Sequence, residues 1–266
     1  MNRWSPQWLS LGGKKTLILS VLQDIPIYWF SLFRVPTCVM VCLWRLFFKF
    51  IWSGKGEFSI THLADWESLS LPSYWGGWGF KNLKFFNISL YAKSLWRGVS
   101  RTGLWGDIIC SKYMKRLSFT SWLWPGSFWV NSPSSIWSSL LTTLPVILRH
   151  LRWLASCGNN IYIGHDPIVG IDHWQFSQDM LHILHDKNIV FLCQAYDNAS
   201  SITPKWSSPL ELGLDDQHVN EWNYFLTELI MSSIMLNDDL DIIIWTRNKQ
   251  AGIVKANIVY ESILQY

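Results

Sequence analysis

The spacing of apolar positions divides the chain into a helical first part and a mixed second part. Behind Gly12 and Gly13, residues 14–23 place Leu17, Val21 and Leu22 on one side of a helix, and Pro26 sets a second short helix ending near Arg34. Pro36 opens a third, long helix that runs to about Trp52 and is closed by Ser53-Gly54-Lys55-Gly56. Short connections make such helices antiparallel neighbours, so a small helical bundle is expected. His62 and Trp66 follow in a polar connection, and Leu71-Pro72 leads into a glycine-rich corner, W-G-G-W-G-F at 75–80. Beyond the corner, Leu83, Phe86, Leu90 and Leu95, with Phe80 and Trp96, recur close to helical spacing. Lys81, Lys84, Lys93 and Arg97 punctuate the rest, predicting one apolar and one cationic side.

Further along, a helix is expected over 105–114, and the pattern dissolves into Trp, Ser, Gly and Pro over 115–131, a candidate boundary. Pro133 and two serines precede a helix over 136–144, which Pro145 kinks or restarts and carries to 154. A strand is expected at 161–163, weak signals over 171–217, a helix over 219–235, a strand at 242–245, a turn at 248–252 and a final helix to 264. The expected class is mainly α over the first 155 residues, then α+β.

Composition adds three things. With 49% hydrophobic residues among 266, core material is ample, and 19 tryptophans suit wide aromatic packing, stacking on bases or a membrane interface. Charge is unevenly placed: residues 1–152 carry 17 Lys and Arg against 5 Asp and Glu, residues 153–266 carry 5 against 14. A basic first half points toward a polyanion. The five cysteines lack paired spacing, which argues against a secreted disulfide framework. The apolar run 25–52 is interrupted by Arg34, Arg45 and Lys49 and divided by Pro26 and Pro36, so two buried helices fit better than one membrane span.

Candidate chemistry is sparse. Asp215-Asp216 and Asp238-Asp239 read as solvated turn or cap residues. His182 and His185 share a helical face, and His165, Asp166, Asp172 and His173 lie nearby in sequence, but no Cys-x-x-Cys completes a zinc set. Cys38 and Cys42 read as buried apolar positions. No Ser-His-Asp constellation or nucleotide fingerprint appears; the glycines at 76, 77 and 79 lack the preceding strand that a phosphate loop requires.

One ordered series of motifs is specific. L-S-L-G-G-K-K-T-L-I-L-S-V-L-Q-D-I-P-I-Y-W-F-S-L-F-R-V-P at 9–36 is followed by F-I-W-S-G at 50–54, His62, Trp66 and then G-G-W-G-F-K-N-L-x-x-F-N-x-x-L-x-A-K-x-L-W-R. Next come S-S-I-W-S-S-L at 134–140, L-R-W at 151–153, I-Y-I-G-H-D-P at 161–167, W-T-R-N-K-Q-A-G at 245–252 and Tyr260. The series resembles the carboxy-terminal part of plant LINE-type (non-LTR) retrotransposon reverse transcriptases, over nearly the whole chain. The resemblance implies a thumb-like helical bundle at 1–56, a connection region with the glycine corner and basic helix at 57–130, a helical and irregular region at 131–236, and the start of a zinc-binding domain at 237–266. In that family the paired aspartates that hold two metals sit on a palm hairpin ahead of the thumb, and no such hairpin lies in these residues. The implied function is therefore a partial, non-catalytic fragment of an RNA-directed DNA polymerase, with no cofactor and no small-molecule substrate. Its implied partner is RNA or an RNA–DNA hybrid, gripped by the backbone through Lys14, Lys15, Lys81, Lys84, Lys93 and Arg97.

Departures from the family pattern fall at Asn160, where a glycine is common, at His165, where an aromatic is usual, and at Lys255-Ala256-Asn257. The sequence ends at Tyr266, before the histidine and cysteine ligands of a zinc site, as in a decaying copy. Two other readings are compatible with the sequence: a stand-alone nucleic-acid-binding module, and a membrane-associated protein built on residues 25–52.

Overall fold

The computed structural model describes residues 9–32, 34–52, 64–114, 119–123, 134–171, 175–197 and 205–265. The expectations for 53–56, His62, Pro133, Asp172 and His173 lie outside them. The chain is mainly α, as the apolar spacing predicts. In order come α1 (Leu11–Leu17), which widens into a π-helical turn (Ile18–Leu22), then α2 (Ile27–Leu32), α3 (Thr37–Trp52), α4 (Trp66–Ser70) and α5 (Leu83–Val99). They are followed by α6 (Gly103–Lys112), α7 (Phe119–Leu123), α8 (Ser135–Leu141), α9 (Leu144–Leu148) and β1 (Leu151–Leu154). The remainder holds α10 (Gln178–Asp186), β2 (Tyr196–Asp197), β3 (Lys205–Trp206), α11 (Asp216–Met231), β4 (Ile242–Trp245) and α12 (Ala256–Leu264).

Two expectations are corrected here. The helix predicted through residue 154 stops at Leu148, and residues 151–154 form β1, paired antiparallel with β4 from Leu151↔Trp245 to Leu154↔Ile242. The pattern Leu-Arg-Trp-Leu alternates buried and less buried positions, a period of two that three apolar residues in four obscured. The strand expected at 161–163 is an irregular run held by a single bridge, Tyr162↔Phe191. Ile161 and Ile163 are apolar there because both enter the core.

The chain packs as two units that recombine stretches distant in sequence. One comprises residues 1–96, 132–146 and 254–266; the other comprises 97–131 and 147–253. The first has a core of Ile18, Phe30, Phe47, Ile51, Trp66, Leu69, Phe80 and Leu83. Trp66 is its hub, stacked on Phe80 at 5.5 Å between centroids and flanked by Trp44, Phe47 and Phe48. Such contacts contribute about 0.5–1.5 kcal/mol per pair beyond buried area. The second unit packs Trp153, Ile161, Ile163, Phe176, Met180, Leu192, Trp222, Phe225 and Leu229 around α10 and α11. Trp122, Trp137, Trp153, Trp222 and Trp245 are all buried, so much of the tryptophan excess is core material.

Cys38 and Cys42 are exposed, not buried. At about 100° per residue they lie on the side of α3 opposite Met40, Phe47 and Ile51, the buried positions of that helix. Among the described residues no helix is long and apolar enough to cross a membrane, which leaves the membrane reading without support.

Candidate nucleic-acid interface

The corner that leads into α5 is built from its sequence residue by residue. Asp65 caps α4, its carboxylate accepting from Ser68 N–H at 3.1 Å, and Pro72 ends the helix by starting a single 3₁₀ turn over Ser73–Trp75. Gly76 closes that turn at φ 83°, in the left-handed region, and Gly77 runs directly against the Leu71 carbonyl, where a Cβ would collide with backbone. The chain then doubles back: Trp78 and Phe80 N–H both donate to the Leu69 carbonyl, and Gly79 N–H to that of Leu71. Asn82 starts α5, its side-chain oxygen accepting from Lys84 N–H at 3.1 Å and Phe85 N–H at 3.3 Å. The backbone N–H of Asn82 is taken up by the Tyr260 hydroxyl at 2.8 Å, and the Tyr260 ring meets Phe86 edge-on. Burial, outweighing that hydrogen bond, holds the Tyr260 hydroxyl above its ordinary pKa.

This frame sets out the predicted cations unequally. Lys14 is not at the surface: it is 5% exposed, its Nζ donates to the Ile51 carbonyl at 3.3 Å, and burial lowers its pKa. It satisfies a carbonyl at the end of α3, and a phosphate has no access to it there. Lys15 is half-buried, with its ammonium 5.6 Å from the centroid of Trp78. Lys81 pairs with Asp24 at 3.1 Å and also covers the Phe86 ring. Lys84, Lys93 and Arg97 are exposed on α5.

The single cationic side expected of α5 does not form. Nine residues separate Lys84 from Lys93, which at about 100° per residue puts them on opposite sides, while Arg97 lies one turn beyond Lys93 on the same side. The helix is also buried over more of its circumference than an amphipathic reading allows. Leu83, Asn87, Ser89, Tyr91, Ala92, Leu95 and Trp96 are all inside. Asn87 is satisfied there by donating to the Phe30 carbonyl at 2.7 Å, and the small side chains at 89 and 92 allow close packing.

Other candidate residues fall into structural roles. Asp215 stands at the N-cap position of α11 and Asp216 in its first turn, where an acid complements the helix dipole. Asp239 is exposed and bonded to Asn237 in a turn. The buried Asp166 accepts from Tyr162 N–H at 2.8 Å. His182 and His185 are exposed on α10, and among the described residues no group of three His, Cys, Asp or Glu is placed to hold a metal ion.

With this geometry in view, one relative is informative. The chain is 27% identical over 188 residues to an Arabidopsis thaliana protein named "Putative ribonuclease H protein". The match takes in 67% of this chain but only 30% of the relative, so the chain spans less than a third of that protein's length. No family model matches the sequence.

The structure also gathers charges that the sequence leaves scattered. Arg149, Arg152 and Arg247 stand close enough to His150 to lower its pKa together with burial, which is the larger cause. Reading along the chain gives no cue to this cluster, because Arg247 lies far from the other two and joins them only through the pairing of β1 with β4.

Proposed function

We propose that the chain is a non-catalytic portion of a reverse transcriptase from a plant non-LTR retroelement, retaining a sequence-independent hold on the backbone of RNA or an RNA–DNA hybrid. The observation that carries this reading is the ordered series of motifs from residue 9 to Tyr260. The similarity to a plant protein named for a nucleic-acid enzyme agrees with it. So does the surplus of Lys and Arg over Asp and Glu in the first 152 residues. Lys81, Lys84, Lys93 and Arg97 are the contacts assigned from the resemblance, with Lys15 beside them; each works as a point charge on a phosphate, where loss of counterions supplies most of the affinity.

Titration of the folded chain with a labelled RNA–DNA hybrid at two salt concentrations tests the reading. Binding that weakens steeply with salt, and that weakens further when Lys81, Lys84, Lys93 and Arg97 are neutralised together, is the expected result. Absence of binding by a chain shown to be folded refutes the nucleic-acid role, and metal-dependent primer extension refutes the non-catalytic one.

A further inference from the structure

We propose that Cys157 and Cys193 form a site of reversible disulfide formation, a thiol pair that locks the loop after β1 onto the 3₁₀ turn at Leu192–Ala195. The pair lies wholly within the second unit and stands apart from the nucleic-acid reading above. The two cysteines are far apart in sequence, so nothing in their spacing announces them.

Gly158 brings them together. It sits at φ 72°, in the left-handed region, and a Cβ there would stand 2.8 Å from the Cys193 nitrogen and 3.3 Å from its Cα. The two backbones therefore touch, and the Cys193 N–H donates to the Gly158 carbonyl at 3.1 Å. Gly158 Cα lies within about 5 Å of Cys193 Cα, and Cys157 is one trans peptide of about 3.8 Å further back. Disulfides span about 4.4–6.8 Å between Cα atoms, which falls inside that reach. The Cys157 thiol donates to the Asp241 carboxylate at 3.3 Å, and the same carboxylate accepts from Ser156 and Gly158 N–H at 2.9 and 2.8 Å. One anchor thus fixes both the Cys157 sulfur and the backbone that carries it. Burial, with Cys157 and Asp241 nearby, pushes the Cys193 thiol up, which agrees with both sulfurs facing this carboxylate. Each cysteine is half-buried, so a small oxidant reaches it, whereas Cys110 is buried and Cys38 and Cys42 share one exposed side of α3.

Glutathione disulfide is an oxidant of the right class. The Cys157 thiolate attacks one of its sulfurs, expelling one glutathione thiolate and leaving a mixed disulfide on Cys157. The Cys193 sulfur then attacks the Cys157 sulfur and expels the second glutathione. Two protein thiols lose two electrons, glutathione disulfide gains them, and the two thiol protons end on the two glutathiones released. The raised Cys193 thiol gives little thiolate, but its attack is intramolecular, which offsets that deficit.

The test equilibrates the full chain, folded by circular dichroism, in glutathione buffers from reducing to oxidising, then blocks free thiols and digests with trypsin. Lys187 separates the two cysteines, which fall in peptides 153–187 and 188–205. The expected outcome is a linked pair of these peptides that dithiothreitol separates, with the guanidinium midpoint raised by about 0.5–1 M in the oxidised chain. Linkage and shift both vanish in Cys193→Ala and in Cys157→Ser, whose hydroxyl keeps a donor for Asp241. Both thiols blocked as free cysteines in the most oxidising buffer, or glutathione retained on Cys157 without closure, overturns the proposal. Linkage that appears only in denaturant, or that lowers the midpoint, shows a bond that the native loop does not accommodate and overturns it equally.

Discussion

Asp241 offers the sharpest test of how the second unit holds its shape. One carboxylate oxygen accepts from Ser156 N–H at 2.9 Å and Gly158 N–H at 2.8 Å, and the other from Asn160 N–H at 3.1 Å and the Cys157 thiol at 3.3 Å. A single side chain just ahead of β4 therefore organises the loop that follows β1, and so fixes the ladder that carries Arg152. Replacing it by Ala strands these donors. Hydrogen bonds to a charged group contribute about 1.5–3 kcal/mol each. Asn160 is exposed and its N–H turns to water, so the bonds to Ser156 and Gly158 dominate and the expected loss is about 3–5 kcal/mol. Asp241→Asn keeps an oxygen for those two donors without the charge, and about half the loss is expected. Guanidinium unfolding followed by tryptophan fluorescence measures both. The pH dependence has a definite sign. Burial alone raises the Asp241 pKa, but the N–H groups of Ser156, Gly158 and Asn160, with the Cys157 thiol, outweigh it and leave the pKa lowered. The stabilisation is then fully present above about pH 4, the unfolded value. It is lost as pH falls through the folded pKa, so the gap between wild type and Asp241→Asn closes in acid. A gap below about 1 kcal/mol at pH 7, or one that stays constant into acid, refutes this account.

Three further outcomes are expected. Gly77→Ala drives a methyl group into the Leu71 carbonyl and costs about 2–4 kcal/mol in denaturant unfolding, while Gly12→Ala, which meets only the Ser10 hydroxyl at 4.0 Å, is neutral or mildly stabilising. Tyr260→Phe removes the acceptor for Asn82 N–H and costs about 1 kcal/mol by the same measurement, with the Phe86 contact kept. His150 titrates below the free histidine value by NMR, and Arg149→Gln/Arg247→Gln moves it part of the way back, since burial remains. Because its folded pKa is lowered, its contribution to stability is complete above about pH 6.5 and is lost as pH falls below that.

Much of the helical framework is legible in the sequence because its signals are local. Pro36 before α3, Asn82 before α5 and the apolar spacing of α11 each act within a few residues. The turn from helix to strand at 149–151 is not legible, since Leu151 and Trp153 are apolar in either state and only the distant β4 decides between them. α10 is hidden for a different reason: it is short, and its polar face carries His182, His185 and Asp186, which resemble loop composition. The cations were legible as residues but not as surfaces. Lys14 is drawn inside by the Ile51 carbonyl, a contact across 37 residues, and Lys84 and Lys93 look alike until helical phase separates them.

That separation bears on what the motif series preserves. Gly76 and Gly77 serve the turn, Phe80 the stack on Trp66, Asn82 the start of α5, and Tyr260 the N–H of Asn82. Each of these residues is thus committed to a turn, to packing or to a backbone hydrogen bond, and a change at any of them disturbs the fold before it disturbs a ligand. What this stretch of the motif series preserves is therefore scaffold. The proposed nucleic-acid contact falls to side chains that the scaffold leaves outside, and among the described residues Lys84 and Lys93 on α5 belong to one unit while Arg97, later in the same helix, belongs to the other. Neutralising them separately asks which unit meets the nucleic acid. Losses from one set alone show that its unit carries the contact, and losses from each show that both do, because every phosphate contact removed lowers the salt dependence on its own account.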